Sequence, residues 1–301
     1  MDGSSMHGYL RPDGKIGIRN SIAVIYTCLQ VRHVAEQIAQ GISRAEVFGF
    51  RENSGTIQIP LIMELSKHPN IVAAIIVGLD DEDEAASQLA DEISKTGKPT
   101  ALIQVLSDGG TVKAALKGIR VGSVLARQAD DGQRIPVSLA DLVIGVVYDD
   151  PAGTANAAYP AIEWVIRWIT ARRGTVIGCR LPDDLTIKET LSFGQKPSTA
   201  GLYQLENSSF STLLASGAHL IVLVSGKGSV TGSIVAPVIK VCGNSEVYRR
   251  LYDDMDLDAG QAADGAEASL EIGRNILGRL VDVAAGEPSK AEILQHKEYA
   301  L

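Results

Sequence analysis

The chain has 301 residues, 45% of them hydrophobic, which fits a globular protein with room for two domains at roughly 100–200 residues each. Its 28 basic residues against 36 acidic ones give a net charge of −8 with no Lys/Arg cluster, and this balance excludes a general nucleic-acid binder. Cys28, Cys179 and Cys242 are far apart and show no C-x-x-C spacing, so neither a disulfide framework nor a thiolate zinc site is expected. No apolar run approaches the ~18–20 residues of a membrane span, and the opening residues lack a signal-peptide pattern, so a cytoplasmic protein without membrane contact is expected.

Apolar runs of strand length alternate with helix-period segments from the start, the pattern of an α/β fold with mostly parallel sheets. Ser21–Thr27 reads as a strand, Val34–Gln40 as part of a helix and Glu46–Phe50 as a second strand. Residues 57–67 and 83–95 read as helices on either side of the strand Val72–Gly78. Thr100–Val105 is a further strand and Thr111–Gln128 a helix, which completes a first α/β domain over residues 1–130. The polar, Gly- and Pro-containing stretch Ala129–Pro136 breaks the periodicity and is the predicted linker.

A second Rossmann-like domain, 131–301, follows: strand Leu142–Val147, helix Ala157–Arg172, strand Thr175–Cys179, a terminal helix around 261–284 and a short peripheral helix within Glu287–Leu301. Its most informative segment is the run His219–Val224, which meets the loop Ser225-Gly-Lys-Gly-Ser-Val-Thr-Gly-Ser233 before Pro237–Val241 resumes the apolar pattern. A strand opening into glycines and small hydroxyls leaves backbone N–H groups beside the strand end, where open α/β sheets hold anions. Lys227, Ser229 and Thr231 would add one cation and two hydroxyls; a structural turn is the competing reading. The loop leads into another strand, not a helix, and no Gly-Lys-Ser/Thr closes it, so it is neither a dinucleotide fingerprint nor a Walker A loop.

Several blocks along the chain resemble the altronate dehydratase and galactarate dehydratase family of sugar-acid hydro-lyases. Gly8-Tyr-Leu-Arg-Pro-Asp-Gly-Lys-Ile-Gly-Ile-Arg-Asn20 is similar to that family's opening block. Gly109-Gly-Thr111, Val224–Val230, Pro237-Val-Ile-Lys240 and Asp253-Asp-Met-Asp256 resemble further family blocks in order. The resemblance implies two parallel α/β domains and elimination of water from a hydroxylated carboxylate. Such a reaction needs a base for the proton beside the carboxylate, and in the family a metal stabilises the enediolate.

Where the family tends to carry His-Thr-Glu-Gly-Cys-Gly, this chain reads Phe50-Arg-Glu-Asn-Ser-Gly55, keeping Glu52 and placing Arg51 beside the lost histidine. A guanidinium clamps a carboxylate but does not act as a base at neutral pH. The family's Gly-Leu-Gly-Cys-Glu appears as Gly78-Leu-Asp-Asp-Glu82, and a third cysteine block as Val147-Tyr-Asp-Asp-Pro-Ala-Gly153. The chain is also shorter than its relatives around Glu189–Pro197.

The acids kept at or placed in these blocks make Glu52 and Glu82 candidate catalytic carboxylates and Asp81, Glu82 and Asp149 candidate oxygen ligands of a divalent magnesium, manganese or iron ion, while Arg51, the loop residues Lys227, Ser229 and Thr231, and Asp108 at a helix start after a strand are candidate substrate contacts. Oxygen ligands suit hard divalent ions. The competing reading makes Asp80–Glu84 a solvated, N-capping helix start and gives Ser107 or Asp108 a capping role at the next helix. Asp254, Asp256 and Asp258 miss the spacing of a calcium loop and read as capping residues on a solvated acidic face, with the alternative, from the block's resemblance to a family motif, that they face the active site. Two functions follow: a hydro-lyase of a small hydroxy acid, or a family-fold protein without catalysis that binds a small acid or serves as a partner subunit. A homo-oligomer is compatible with either.

Overall fold

The computed structural model describes residues 6–50, 58–149, 157–179, 181, 184–206 and 209–298. The chain divides into two compact units, one from Tyr9 to Ile135 and the other from Pro136 onward together with the residues before Tyr9. The first stretch holds β1 (Met6–Leu10), β2 (Ile16–Gly17), β3 (Ser21–Tyr26), α1 (Leu29–Gln40), β4 (Ala45–Gly49), α2 (Gln58–Lys67), β5 (Ile71–Gly78), α3 (Glu84–Ser94), β6 (Thr100–Gln104) and α4 (Thr111–Asp130). Next come β7 (Arg134–Val137), β8 (Val143–Tyr148), α5 (Tyr159–Ala171), β9 (Thr175–Gly178), β10 (Glu189–Leu191), β11 (Gly201–Leu205) and α6 (Phe210–Ala215). The chain continues through β12 (Leu220–Ser225), β13 (Val238–Cys242), α7 (Ser245–Arg250), β14 (Leu257–Asp258), α8 (Ala266–Ala284) and α9 (Lys290–Ile293). The segment Ala129–Pro136 is therefore not a bare linker: α4 runs through Asp130, and β7 takes a place in a small sheet ordered β2-β1-β7.

In the N-terminal unit a four-stranded sheet has the order β4-β3-β5-β6 with every pairing parallel. Ile22, Val24 and Tyr26 of β3 and Ala73, Ile75 and Val77 of β5 form one core with Val31, Val34, Ala35 and Ile38 of α1 and Ala114 and Ala115 of α4. The α1 positions fall at helical spacing, giving one apolar stripe that the sheet covers. Ala74 and Ile76 alternate to the opposite face and are as fully buried. Helices on both faces make these strands continuous apolar runs, which is why they stand out in the sequence.

The opening block that carries the family resemblance is a structural clamp. Arg11 is 5% exposed and donates from Nε to the Pro69 carbonyl at 2.6 Å, from Nη1 to Asn20 Oδ1 at 2.7 Å and from Nη2 to the Arg19 carbonyl at 2.6 Å. Asn20 in turn donates to the Ala129 carbonyl at 2.7 Å. Burial lowers the Arg11 pKa to about 10, with Tyr9 and Asp13 opposing the shift. The planar fork of a guanidinium is what allows one side chain to serve three acceptors.

The C-terminal unit is built on a seven-stranded sheet, order β10-β11-β9-β8-β12-β13-β14, again parallel throughout. Helices α5 and α8 pack against one another, with Ile162, Val165, Ile166 and Ile169 of α5 and Ile276, Leu277, Leu280 and Val283 of α8 buried. The two parallel sheets agree with the α/β reading of the sequence. Strands β10 and β11 and the short helices α6 and α7 are additions to it.

Candidate functional site

The strand order of the C-terminal unit locates a crevice. From β8 the chain moves outward through β9 to β11 and β10 on one side, then crosses to β12, β13 and β14 on the other. Connections thus leave in opposite directions at the carboxyl ends of β8 and β12, the position at which open α/β sheets receive ligands. Tyr148 pairs there with Val224, and the Asp149 N–H donates to the Val224 carbonyl at 3.2 Å.

The loop leaving β12 is held by its own hydroxyls. Ser225 is buried, and its Oγ accepts from the Ser229 N–H at 2.9 Å. Ser229 Oγ and Thr231 Oγ1 share a hydrogen bond of 2.9 Å, so both predicted contact hydroxyls already have a partner in the loop. Gly228 has φ +79°, and a Cβ there would lie 2.3 Å from Leu251 Cδ1. Only glycine combines that backbone with that approach. Lys227, just before it, is exposed.

Beyond the loop, β13 carries a group that sequence reasoning did not single out. Lys240 is fully buried, and its Nζ makes a 2.9 Å hydrogen bond with His296 Nδ1. His296 Nε2 lies 3.9 Å from Asp254 Oδ1. Burial pushes the Lys240 pKa below the usual lysine range, while Asp256, Asp254 and Glu298 act to raise it. The Pro-Val-Ile-Lys block signalled this position, but a lysine inside an apolar strand reads equally as an edge residue.

Asp256 corrects the expectation of a solvated acidic face: its side chain is 0% exposed. Its Oδ2 accepts from the Lys240 N–H at 2.9 Å, and its Oδ1 from Arg279 Nη2 and the Lys290 N–H, both at 3.1 Å. Asp258 accepts from Ser245 Oγ at 3.0 Å and from the Gly260 N–H at 2.9 Å. Downstream, Glu298 Oε2 accepts from the Gly232 N–H at 3.0 Å, tying the last described residues to the glycine loop.

In the N-terminal unit the corresponding change of direction falls between β3 and β5. Asp83 N-caps α3, accepting from the Ala86 N–H at 3.0 Å, and also accepts from Thr27 Oγ1 at 2.5 Å. Asp81 and Glu82 are exposed in the turn before it. Capping of α4 by Ser107 or Asp108 is not found: the N-cap is Gly110 at φ 95°, which offers no side chain. Asp108 instead accepts from the Gln104 N–H at 3.1 Å and pairs with Lys117.

Arg51 and Glu52 lie outside the described residues. Asp149 and Lys227 share the C-terminal unit, whereas Asp81, Glu82 and Asp108 belong to the N-terminal one. Among the described residues, no three His, Cys, Asp or Glu side chains gather in a way that could hold a metal ion. None of the described helices is long and apolar enough to cross a membrane.

These features define a two-unit parallel α/β protein whose larger sheet ends in a glycine- and hydroxyl-rich loop beside a change of strand direction. The chain belongs to the D-galactarate/altronate dehydratase family. Residues 8–130 match the family's second domain and residues 164–301 its C-terminal domain. It is similar to the (2R)-sulfolactate sulfo-lyase subunit beta of Chromohalobacter salexigens, 22% identical over 384 residues, covering 100% of this chain and 98% of the relative. That alignment is longer than the chain, so the relative carries insertions, as the short stretch around Glu189–Pro197 suggests. The altronate dehydratase of Escherichia coli is 22% identical over 391 residues, with 97% of this chain and 76% of the relative covered. The galactarate dehydratase (L-threo-forming) of Escherichia coli is 34% identical over 106 residues, 34% of this chain and 20% of the relative.

Proposed function

We propose that the chain is a lyase of a small hydroxylated acid, using the crevice at the ends of β8 and β12 to hold the substrate's anionic group. The observation that carries this reading is the position of the Ser225–Ser233 loop, with exposed Lys227, beside the change of strand direction. Backbone N–H groups and one ammonium suit a carboxylate or sulfonate. Elimination then needs a base for the proton next to the carboxylate, a role that suits a carboxylate side chain. The names of the relatives supply the substrates to test: (2R)-sulfolactate, galactarate and altronate.

The test is a lyase assay on those acids together with calorimetric binding. Lys227→Ala should weaken binding of the accepted acid about tenfold or more, since a charge-assisted hydrogen bond contributes roughly 1.5–3 kcal/mol. Unchanged affinity removes the loop from the site.

A second reading, a subunit that acts with a different chain, is favoured by α4 and the turn before it. Leu106, Val112 and Leu116 are 61%, 70% and 57% exposed, an apolar stripe of the kind that marks an interaction surface. The relative named as a subunit beta points the same way. Turnover of any of the three acids by the purified chain alone would remove this reading.

A further inference from the structure

We infer that the groove between α5 and the start of α8 binds a small organic anion, its carboxylate or phosphate group at the first turn of α8 beside Ser269 and its apolar part against Trp164. The inference stands apart from the lyase reading and from the crevice beside β12.

The groove lies within the C-terminal unit and has a volume of about 430 Å³, in the range of small-molecule sites. Gly265, Ala266, Ser269 and Leu270 line one wall, and Trp164 and Arg167 of α5 the other. Positions 266, 269 and 270 share one face of α8, whereas the exposed acids Asp264 and Glu267 are outside the lining.

Helix α8 has 19 residues, and its N-cap, Gly265, brings no side chain to the first turn. The N–H groups of Ala266, Glu267 and Ala268 make no hydrogen bond among the described residues, and Gly265 and Ala266 are exposed on the groove. Free N–H groups at the positive end of a helix dipole favour an anion.

Ser269 is the independent sign of a ligand. It is 7% exposed and lines the groove, and its Oγ has no hydrogen-bond partner among the described residues; only its N–H is engaged, by the Gly265 carbonyl at 3.0 Å. Hydroxyls in other helices bond back to the carbonyl four residues earlier: Ser66 to Ile62 at 2.5 Å, Ser123 to Ile119 at 2.8 Å and Thr170 to Ile166 at 2.9 Å. The Ser269 hydroxyl is turned away from that arrangement, and a nearly buried donor left unpaired points to an acceptor from outside the fold.

The facing wall supplies the apolar surface. The Trp164 indole packs on α8 at Gly273, where a Cβ would stand 2.6 Å from Trp164 Cε3, so the ring is held in place with its remaining area on the groove. Glu163, the one carboxylate in the lining, is engaged by Arg167 at 2.7 Å, which offsets its repulsion of an incoming anion; Arg167 also holds Asp184 at 2.9 Å.

The experiment titrates the protein with benzoate, phenyl phosphate and uncharged benzyl alcohol, read by tryptophan fluorescence and calorimetry. At least one of the two anions should bind and change the emission, and benzyl alcohol should not bind over the same concentrations. Benzoate alone assigns the point to a carboxylate, and phenyl phosphate alone to a phosphate. Ser269→Ala should weaken the anion about tenfold, while the Tm of the free variant is equal or higher. In Trp164→Phe the emission change should be lost although Trp168 remains. Failure of both anions to bind, equal binding of benzyl alcohol, or unchanged affinity in Ser269→Ala overturns the inference. A lowered Tm of free Ser269→Ala also overturns it, because the hydroxyl then has a partner within the fold.

Discussion

Lys240 Nζ lies 2.9 Å from His296 Nδ1, joining the middle of a buried strand to a residue 56 positions later. The pair sits among Asp254, Asp256, Glu298 and Lys290, the charged groups that act on the lysine. Because burial lowers the Lys240 pKa, the unfolded chain, with a lysine pKa of about 10.4, binds more protons than the folded one between the folded pKa and that value. Stability from this group therefore rises with pH across that window, and below the folded pKa its full cost is present. Melting curves of the protein and of Lys240→Met between pH 7 and about pH 10 should show this extra upward slope only in the unsubstituted protein; parallel profiles would contradict it.

Arg11 makes a stability prediction. Arg11→Lys keeps the charge but cannot reach the Pro69, Asn20 and Arg19 oxygens together, leaving buried acceptors unpaired. A loss on the order of 3 kcal/mol is expected in urea unfolding. A shift below about 0.5 kcal/mol would show that the clamp is not a source of stability.

Asp256→Ala should be costlier, at about 3–5 kcal/mol, because it leaves the Lys240 and Lys290 N–H groups without their acceptor and takes from Arg279 the buried one of its two carboxylate partners, Glu287 being the other. Asp256→Asn keeps an acceptor oxygen and should retain part of that stability. Equal denaturation midpoints for the two variants would show that the carboxamide keeps none of these bonds.

Gly232→Ala tests the coupling of the glycine loop to the last described residues. Its Cβ would stand 2.0 Å from the His296 carbonyl oxygen, so one backbone segment has to move, at about 1–3 kcal/mol for overpacking. Faster limited proteolysis between α9 and Glu298, with a lowered Tm, is the expected outcome. Unchanged cleavage would mean that the loop adjusts alone.

Much of this architecture is written in the apolar runs. Ile71–Gly78 and Leu220–Ser225 are buried on both faces and, apart from the terminal Ser225, carry no polar side chain, so both are evident in the sequence. Glu189–Leu191 is an edge strand with two exposed residues, and Arg134–Val137 contains Pro136; both lack that signature and read as loop. At the site, Gly228 beside Lys227 could be read because positive φ and close approach restrict residue choice. The burial of Lys240 and Asp256 could not, since charged residues look solvated until their partners at residues 279, 290 and 296 are brought beside them.

The crossing of the chain from one side of β8 to the other also bears on how the protein is made. On the ribosome, β8 and β9 emerge long before β12, so the other edge of β8 remains without its neighbour until residues 220–225 have been synthesised. Parallel strands so far apart in sequence close late and slowly, with a bare strand edge exposed to other nascent chains in the meantime. The seam beside which the ligand crevice opens is therefore one that stays open until the chain has passed residue 225.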